Sequence, residues 1–225
     1  MIKIAIDGPS GSGKSTLAKA LSKKLGYIYV DTGALYRSIG LFMLQNNVAL
    51  TDKAEIISQL SNVNLSMFHD SQGVQHVTLN GIDVGDSIRT SAVSAAASAV
   101  SAIPEVRAFL LDAQRNMSKT HNVIMDGRDI GTVIFPDADV KIFLTAGNEA
   151  RAVRRHAELV EKGESITIEQ VLADMESRDF NDRTRKEAPA IPAKDAVMLD
   201  NSGFTPEQTL QAATEIILNK LKITK

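Results

Sequence analysis

Residues 2–16 read IKIAIDGPSGSGKST: an apolar, β-branched run, a glycine-rich loop, and the first residues of a helical pattern. Gly8, Gly13, Lys14 and Ser15 fit G-x-x-x-x-G-K-[ST] at the junction between strand and helix that this motif requires. Glycines let such a loop curl until its backbone N–H groups converge on phosphate oxygens, and the helix behind it adds the positive end of its dipole. The whole loop, Gly8, Pro9, Ser10, Gly11, Ser12, Gly13, Lys14, Ser15 and Thr16, is thus read as the cradle of a nucleoside triphosphate. Lys14 supplies a point charge between the terminal phosphates, and the Ser15 hydroxyl is placed for Mg²⁺.

Outward from this loop, apolar runs alternate with helical spacing. Ile2–Ile6, Tyr27–Val30, Val123–Met125, Val140–Leu144 and Val197–Leu199 read as strands. Ser15–Leu25, Leu35–Leu44, Glu105–Met117, Ala150–Glu161 and Pro206–Leu221 read as helices, the last with Thr205 as N-cap and Gln208 placed for a capping box. Alternation of this kind predicts an α/β fold, a central parallel sheet with helices on both faces. One stretch interrupts it. Residues 62–86, NVNLSMFHDSQGVQHVTLNGIDVGD, hold short strand candidates broken by HDSQG and NG, the signals of a small antiparallel insertion. The SAVSAAASAVSAIP run that follows predicts a helix with a small-residue face, and Pro104 opens the next one. No internal repeat is present.

The 225 residues suffice for one domain with insertions, and a net charge of −2 gives no broad nucleic-acid footprint. There is no cysteine, so thiolate chemistry and disulfides are excluded, and the four scattered histidines (His69, His76, His121, His156) have no metal-site spacing. Neither a leader nor a membrane span is read, and a cytoplasmic protein is expected. The NKxD guanine reader of a GTP-driven switch is missing.

A second ligand is written beyond the strand ends. VDTGALYR places Asp31, Thr32, Gly33 and Arg37 after the second strand, and MDGRD places Asp126, Arg128 and Asp129 after the third. Ligands of open α/β sheets bind beyond the carboxyl ends of strands, and arginines gathered there suit a phosphate-bearing acceptor through forked, charge-assisted hydrogen bonds.

Taken in order, DGPSGSGKST, DTGALYR, DGRDIGTVIFPDA, and SRDFNDRTR followed by APAIPAKDA resemble the bacterial cytidylate kinases over essentially the whole chain. The antiparallel insertion is typical of that family and not of the shorter adenylate or shikimate kinases. The resemblance implies a P-loop kinase fold with a helical lid, and transfer of the γ-phosphate of ATP to CMP or dCMP with Mg²⁺. It further implies one unit over 1–225. Residues 1–30, 105–147 and 190–225 would form the core, 31–104 the acceptor-nucleotide region and 148–189 the lid with the helix that follows it. A monomer whose partners are small nucleotides, with neither nucleic acid nor membrane among them, completes the picture.

Residue by residue, Thr32 would stand near the base, while Arg37 and Arg128 would hold the acceptor phosphate. Ser98, Arg107 and Asp129 would contact cytosine and the nearby sugar. Arg178, Asp182 and Arg185 match positions that hold sugar and phosphate. Asp129 suits the N4 donor of cytosine and would repel the uracil oxygen at the same place. From the lid, Arg151, Arg154 and Arg155 at i, i+3 and i+4 would share a helix face, with Arg154 the chief contributor. Lys14, Arg128, Arg154 and Arg185 thus form the expected catalytic set. Asp126 either joins Ser15 at Mg²⁺ or pairs with a buried arginine; Arg183 and Lys186 read as solvated. A kinase for UMP or AMP, and a binding protein with slow ATP hydrolysis, are the rival readings.

Overall fold

A computed structural model describes residues 1–70, 74–161 and 163–223. In chain order its elements are β1 (Lys3–Asp7), α1 (Lys14–Leu25), β2 (Ile28–Asp31), α2 (Thr32–Gln45), α3 (Lys53–Gln59), β3 (Leu65–His69), β4 (Gln75–Leu79) and β5 (Ile82–Asp83). There follow α4 (Ser91–Ser101), α5 (Pro104–Asn116), β6 (Val123–Gly127), β7 (Val140–Thr145), α6 (Asn148–Glu161), α7 (Ile168–Thr184), β8 (Val197–Asp200) and α8 (Pro206–Ile223).

The central sheet has the order β2-β6-β1-β7-β8, every pair parallel, as the alternation predicts. Its strands are buried on both faces and so read as apolar runs. Ile4 and Ile6 of β1 face one side, with Leu17 and Leu21 of α1 and Ala213 and Ile217 of α8. Ala5, between them, faces the other side with Val30, Met125, Ile130 and Phe135. At roughly 1.5–3 kcal/mol per fully buried aliphatic side chain, these two layers hold the strand ends that carry the site.

Local signals set the helix limits. Gly13 and Gly26 flank α1 at φ 88° and 69°, left-handed conformations that glycine adopts without strain. The Asp31 side chain accepts from Ala34 N, so α2 starts at Thr32, earlier than its apolar period suggests. In α8, Thr205 N donates to the Gln208 side chain and Gln208 N to Thr205 Oγ1, the predicted capping box. The small-residue face of α4 has a use as well: Ala96 and Ala97 lie so close to Gly40 of α2 that a Cβ there would stand 2.9 Å from Ala97 N. Short α3, capped by Asp52, and a π-helical turn at Ile130–Ile134 have no counterpart in the sequence reading.

The insertion forms a separate antiparallel sheet, β3-β4-β5, with Leu65 opposite Leu79 and His69 opposite Gln75. The predicted HDSQG turn includes residues 71–73, which lie outside the described residues. This sheet also covers an edge. β2 is the last strand of the central sheet, and Gln75 accepts from Asp31 N and donates to Asp31 O while His69 Nε2 meets Tyr29 O. An open row of backbone groups is thereby occupied by side chains, one of the ways edges are protected from pairing with other chains.

On the insertion's outer face, His76 Nδ1 lies 2.6 Å from Asp83 and its Nε2 3.5 Å from Asp70. The hydrogen bond that its Nδ1–H donates to Asp83 leads in raising its pKa above the ordinary 6.5. A raised histidine contributes stability below its unfolded pKa and loses it as pH climbs through the folded one. An NMR titration of His76 is expected to show a midpoint above 6.5, and Asp83→Asn should lower it. Among the described residues no single helix is long and apolar enough to cross a membrane.

Candidate active site

The phosphate loop leaves β1 at Gly8, whose φ is 149°. A Cβ there would lie 2.0 Å from Leu144 O, so only glycine lets the chain pass the end of β7. Lys14, 6% exposed, folds inward and donates from Nζ to Pro9 O at 2.6 Å, with Ser12 Oγ at 3.4 Å. Burial, and then repulsion from Arg128, lowers its pKa well below the usual lysine value, and Arg178 adds to the repulsion. Thr16, next to Ser15 on the first turn of α1, is exposed.

Ser15 Oγ donates to Asp126 Oδ2 at 2.7 Å, and the Tyr29 hydroxyl donates to Asp126 Oδ1 at 3.0 Å. Burial above all, together with the Asp31 charge, pushes the Asp126 carboxyl up to about 6. Of the two readings of Asp126, the arginine pair does not occur among the described residues: its carboxylate is held by hydroxyls. A hydroxyl and a carboxylate converging beside Lys14 make a set of hard oxygen donors.

Both sides of the Ser10 peptide are held by α6 and α7. Ser10 N donates to Asp179 Oδ1 at 3.0 Å, Arg151 Nη1 donates to Ser10 O at 2.7 Å, and Arg151 pairs with Asp179. Arg151, Arg154 and Arg155 all lie on helix α6, but each finds a different neighbour. Arg151 is buried against the loop, Arg154 donates to Asn201 Oδ1 and O, and Arg155 pairs with Glu158. Successive helical residues are rotated by about 100°, so positions i+3 and i+4 reach different neighbours. Arg154 still adjoins the loop, because Asn201 donates to Ser12 O at 3.2 Å.

On the acceptor side the structure gathers most of the anticipated residues. Arg107 pairs with Asp129, donates to Ser101 O at 3.1 Å and lies 5.4 Å over the Tyr36 ring. Arg185 lies 3.5 Å from Asp182 and 4.0 Å from Asp129, and Arg128 Nε donates to Asp182 at 3.0 Å. Although burial works against it, Arg128 and then Arg178 and Arg185 hold the Asp182 carboxyl below its ordinary value. Burial, followed by repulsion from Arg128, brings Arg178 down to about 10, and its Nε is buried with no hydrogen-bond partner. Ser98, Arg178 and Arg185 line a cavity of about 720 Å³ between α4 and helices α6 and α7.

Two expected base and phosphate contacts are engaged elsewhere in this state. Thr32 Oγ1 donates to Asp126 O, and Arg37 pairs with Asp31 at 2.7 Å while its Nε is buried and unpartnered. Arg183 and Lys186 are exposed, as anticipated. Sequence reasoning passed over Tyr29, Tyr36, Ser101, Asp179 and Asn201. Tyr29 and Tyr36 look like core residues in apolar runs, and no local pattern marks the others.

Besides burial, the charges of Arg128 and Arg178 lower the Lys14 pKa, and Arg128 lowers that of Arg178, so three cations lie close together near the ends of β1 and β6. Such an arrangement suits an anion bearing more than one charge. Residues 4–219 match the family model described as cytidylate kinase. The chain is 48% identical over 215 residues to the cytidylate kinase of Caldicellulosiruptor saccharolyticus, covering 96% of this chain and 95% of that one. To the cytidylate kinase of Fusobacterium nucleatum it is 47% identical over 209 residues, covering 93% and 94%. An uncharacterized protein from Eubacterium ventriosum shares the fold, with TM-score 0.52, 11% identity, and coverage of 96% of this chain and 98% of its own.

Proposed function

The chain belongs to the cytidylate kinase family, and from that premise we infer how its residues divide the work of phosphorylating CMP or dCMP with ATP. The 8–16 loop takes the ATP phosphates, with Lys14 against the terminal pair, and Arg154 works from the other side of the loop. Arg128, Arg178 and Arg37 take the acceptor phosphate, Arg37 by exchanging Asp31 for it. Arg185 and Asp182 hold the sugar side, while Thr32, Ser98, Arg107 and Asp129 face the base. Residues 31–104 act as the acceptor arm, 148–189 as lid and the remainder as core.

The oxygens of Ser15 and Asp126 fit Mg²⁺, which would shield the charge of the ATP phosphates when bound. An oxygen of the CMP phosphate then forms a bond to Pγ as the bond from Pγ to the departing ADP oxygen breaks. With a second pKa of about 6 the CMP phosphate is already mostly dianionic at neutral pH, so no general base is assigned. What the protein supplies is alignment and positive charge. A cytoplasmic monomer serving small nucleotides is the setting this reading implies.

The observation that carries the proposal is the gathering of three cations: besides burial, the charges of Arg128 and Arg178 lower the pKa of buried Lys14, and Arg128 lowers that of Arg178. Its test is steady-state turnover with ATP, Mg²⁺ and a panel of CMP, dCMP, UMP and AMP. ADP release should be fastest with the cytosine acceptors. Equal rates with and without any acceptor would remove the kinase reading, and a preference for UMP or AMP would replace its substrate.

A further inference from the structure

Asp7 lies at the seam between the two halves of the site, and the division of work above gives it no task. It ends β1 and directly precedes the loop, and its side chain lies on the same face as Ala5, against the turn that follows β6. Oδ1 accepts from Ile130 N at 2.7 Å and Oδ2 from Gly131 N at 2.8 Å. These are the opening N–H groups of the π-helical turn Ile130–Ile134, which have no partner within the turn itself. Asp129 is the residue that precedes the turn, and its carbonyl accepts from Val133 N and Ile134 N.

The contact leaves no slack. Asp7 is 4% exposed, and a Cβ on Gly131 would stand 3.3 Å from Asp7 Oδ2 and 3.1 Å from the Lys141 side chain. The carboxylate therefore clamps the chain immediately after Arg128 and Asp129, the two residues that meet acceptor phosphate and base. Burial pushes the Asp7 carboxyl up to about 6, and the two backbone bonds oppose the rise. Asp129 repels it while Lys14 attracts it.

We propose that Asp7 is a positioning residue that fixes the Arg128–Asp129 turn against the donor loop and thereby sets the choice of acceptor base. The proposal rests on the kinase reading given above. Moving a contact group by about 1 Å can cost about a hundredfold in rate, so a turn tied at two points is a means of selection.

The test is Asp7→Asn, which keeps the shape but presents an NH₂ to one of the two N–H donors. With one buried hydrogen bond replaced by a donor–donor contact, the CMP KM should rise about tenfold and the CMP-to-UMP ratio of kcat/KM should fall about tenfold. The ATP KM and the slow hydrolysis of ATP without acceptor should stay within about twofold, because the loop's own N–H groups are untouched. Gly131→Ala presses on the same contact from its other side and should give the same signature if Asp7→Asn fails to fold. An unchanged ratio, or an equal loss for both acceptors and ATP, would overturn the proposal, as would failure of both variants to fold. The wild-type panel separates the two levels. A wild type that prefers UMP or AMP ends the kinase assignment to cytosine, whereas a CMP preference that survives Asp7→Asn ends only the role of Asp7.

Discussion

Lys14→Ala is expected to lower kcat about a thousandfold while leaving the protein folded and no less stable. The size follows from losing one preorganised charge at the transferring phosphoryl, about 4 kcal/mol of transition-state stabilisation. The stability half of the expectation is specific to this site. Lys14 is 6% exposed, and burial and the charges of Arg128 and Arg178 lower its pKa. A lysine whose folded pKa lies below its unfolded value is a cation the fold holds at a cost. Removing it relieves repulsion and leaves Pro9 O without one donor, although Ser12 Oγ still reaches that carbonyl at 3.1 Å. Circular dichroism melting should therefore give a Tm equal to or above that of the wild type, beside a near-inactive enzyme in the ADP-release assay. Activity within about tenfold of wild type would end the cradle reading.

The opposition between stability and activity runs through the rest of the pocket. Arg178 Nε, Arg37 Nε and Arg185 Nη2 are buried donors without hydrogen-bond partners. Left to stability alone, such groups would be replaced by apolar residues or supplied with acceptors. Buried donors left open in this way fit the proposed site for an anion that arrives from solvent.

How much of this was legible in the sequence depended on how local each cause is. The loop was legible because its chemistry is contiguous: glycines at 8 and 13 and the Lys14–Ser15 pair all lie within nine residues. The parallel sheet was legible because strands buried on both faces are apolar throughout. Arg128 and Asp129 stood out as charges between two apolar strands, and the family resemblance supplied Ser98, Arg107, Arg178, Asp182 and Arg185. Tyr29 could not be found this way. Its hydroxyl meets Asp126, 97 residues away, and in sequence it is one more aromatic in a strand. Asp7 and Asp179 are likewise defined by partners 123 and 169 residues distant. For the arginines of α6, spacing fixes a helical face but not which neighbour each side chain finds. Arg151 found Ser10 and Asp179; Arg154 found Asn201.

The base-reading contact yields the second large effect: Asp129→Asn should reduce the CMP-to-UMP ratio of kcat/KM by about a hundredfold or more. Sites built to hydrogen-bond one group reject its replacement strongly, because a mismatched buried polar atom is left unpaired. Asp129 is 4% exposed and is held by Arg107, with Arg185 at 4.0 Å, so its carboxylate can only accept. In the proposed site it would accept from the N4 amino group of cytosine and repel the uracil oxygen. An asparagine can turn its NH₂ to that oxygen, which raises turnover of UMP as that of CMP falls. The substitution also removes the partner of Arg107, a pair whose loss typically costs about 3–5 kcal/mol when buried, so Tm should drop. A fall in Tm by itself therefore says nothing about recognition. General loosening would lower kcat/KM for both acceptors together and leave their ratio where it was, and that result would remove Asp129 from the base site. A ratio that collapses because UMP improves in absolute terms cannot come from loosening, and it would identify this carboxylate as the group that tells the two bases apart.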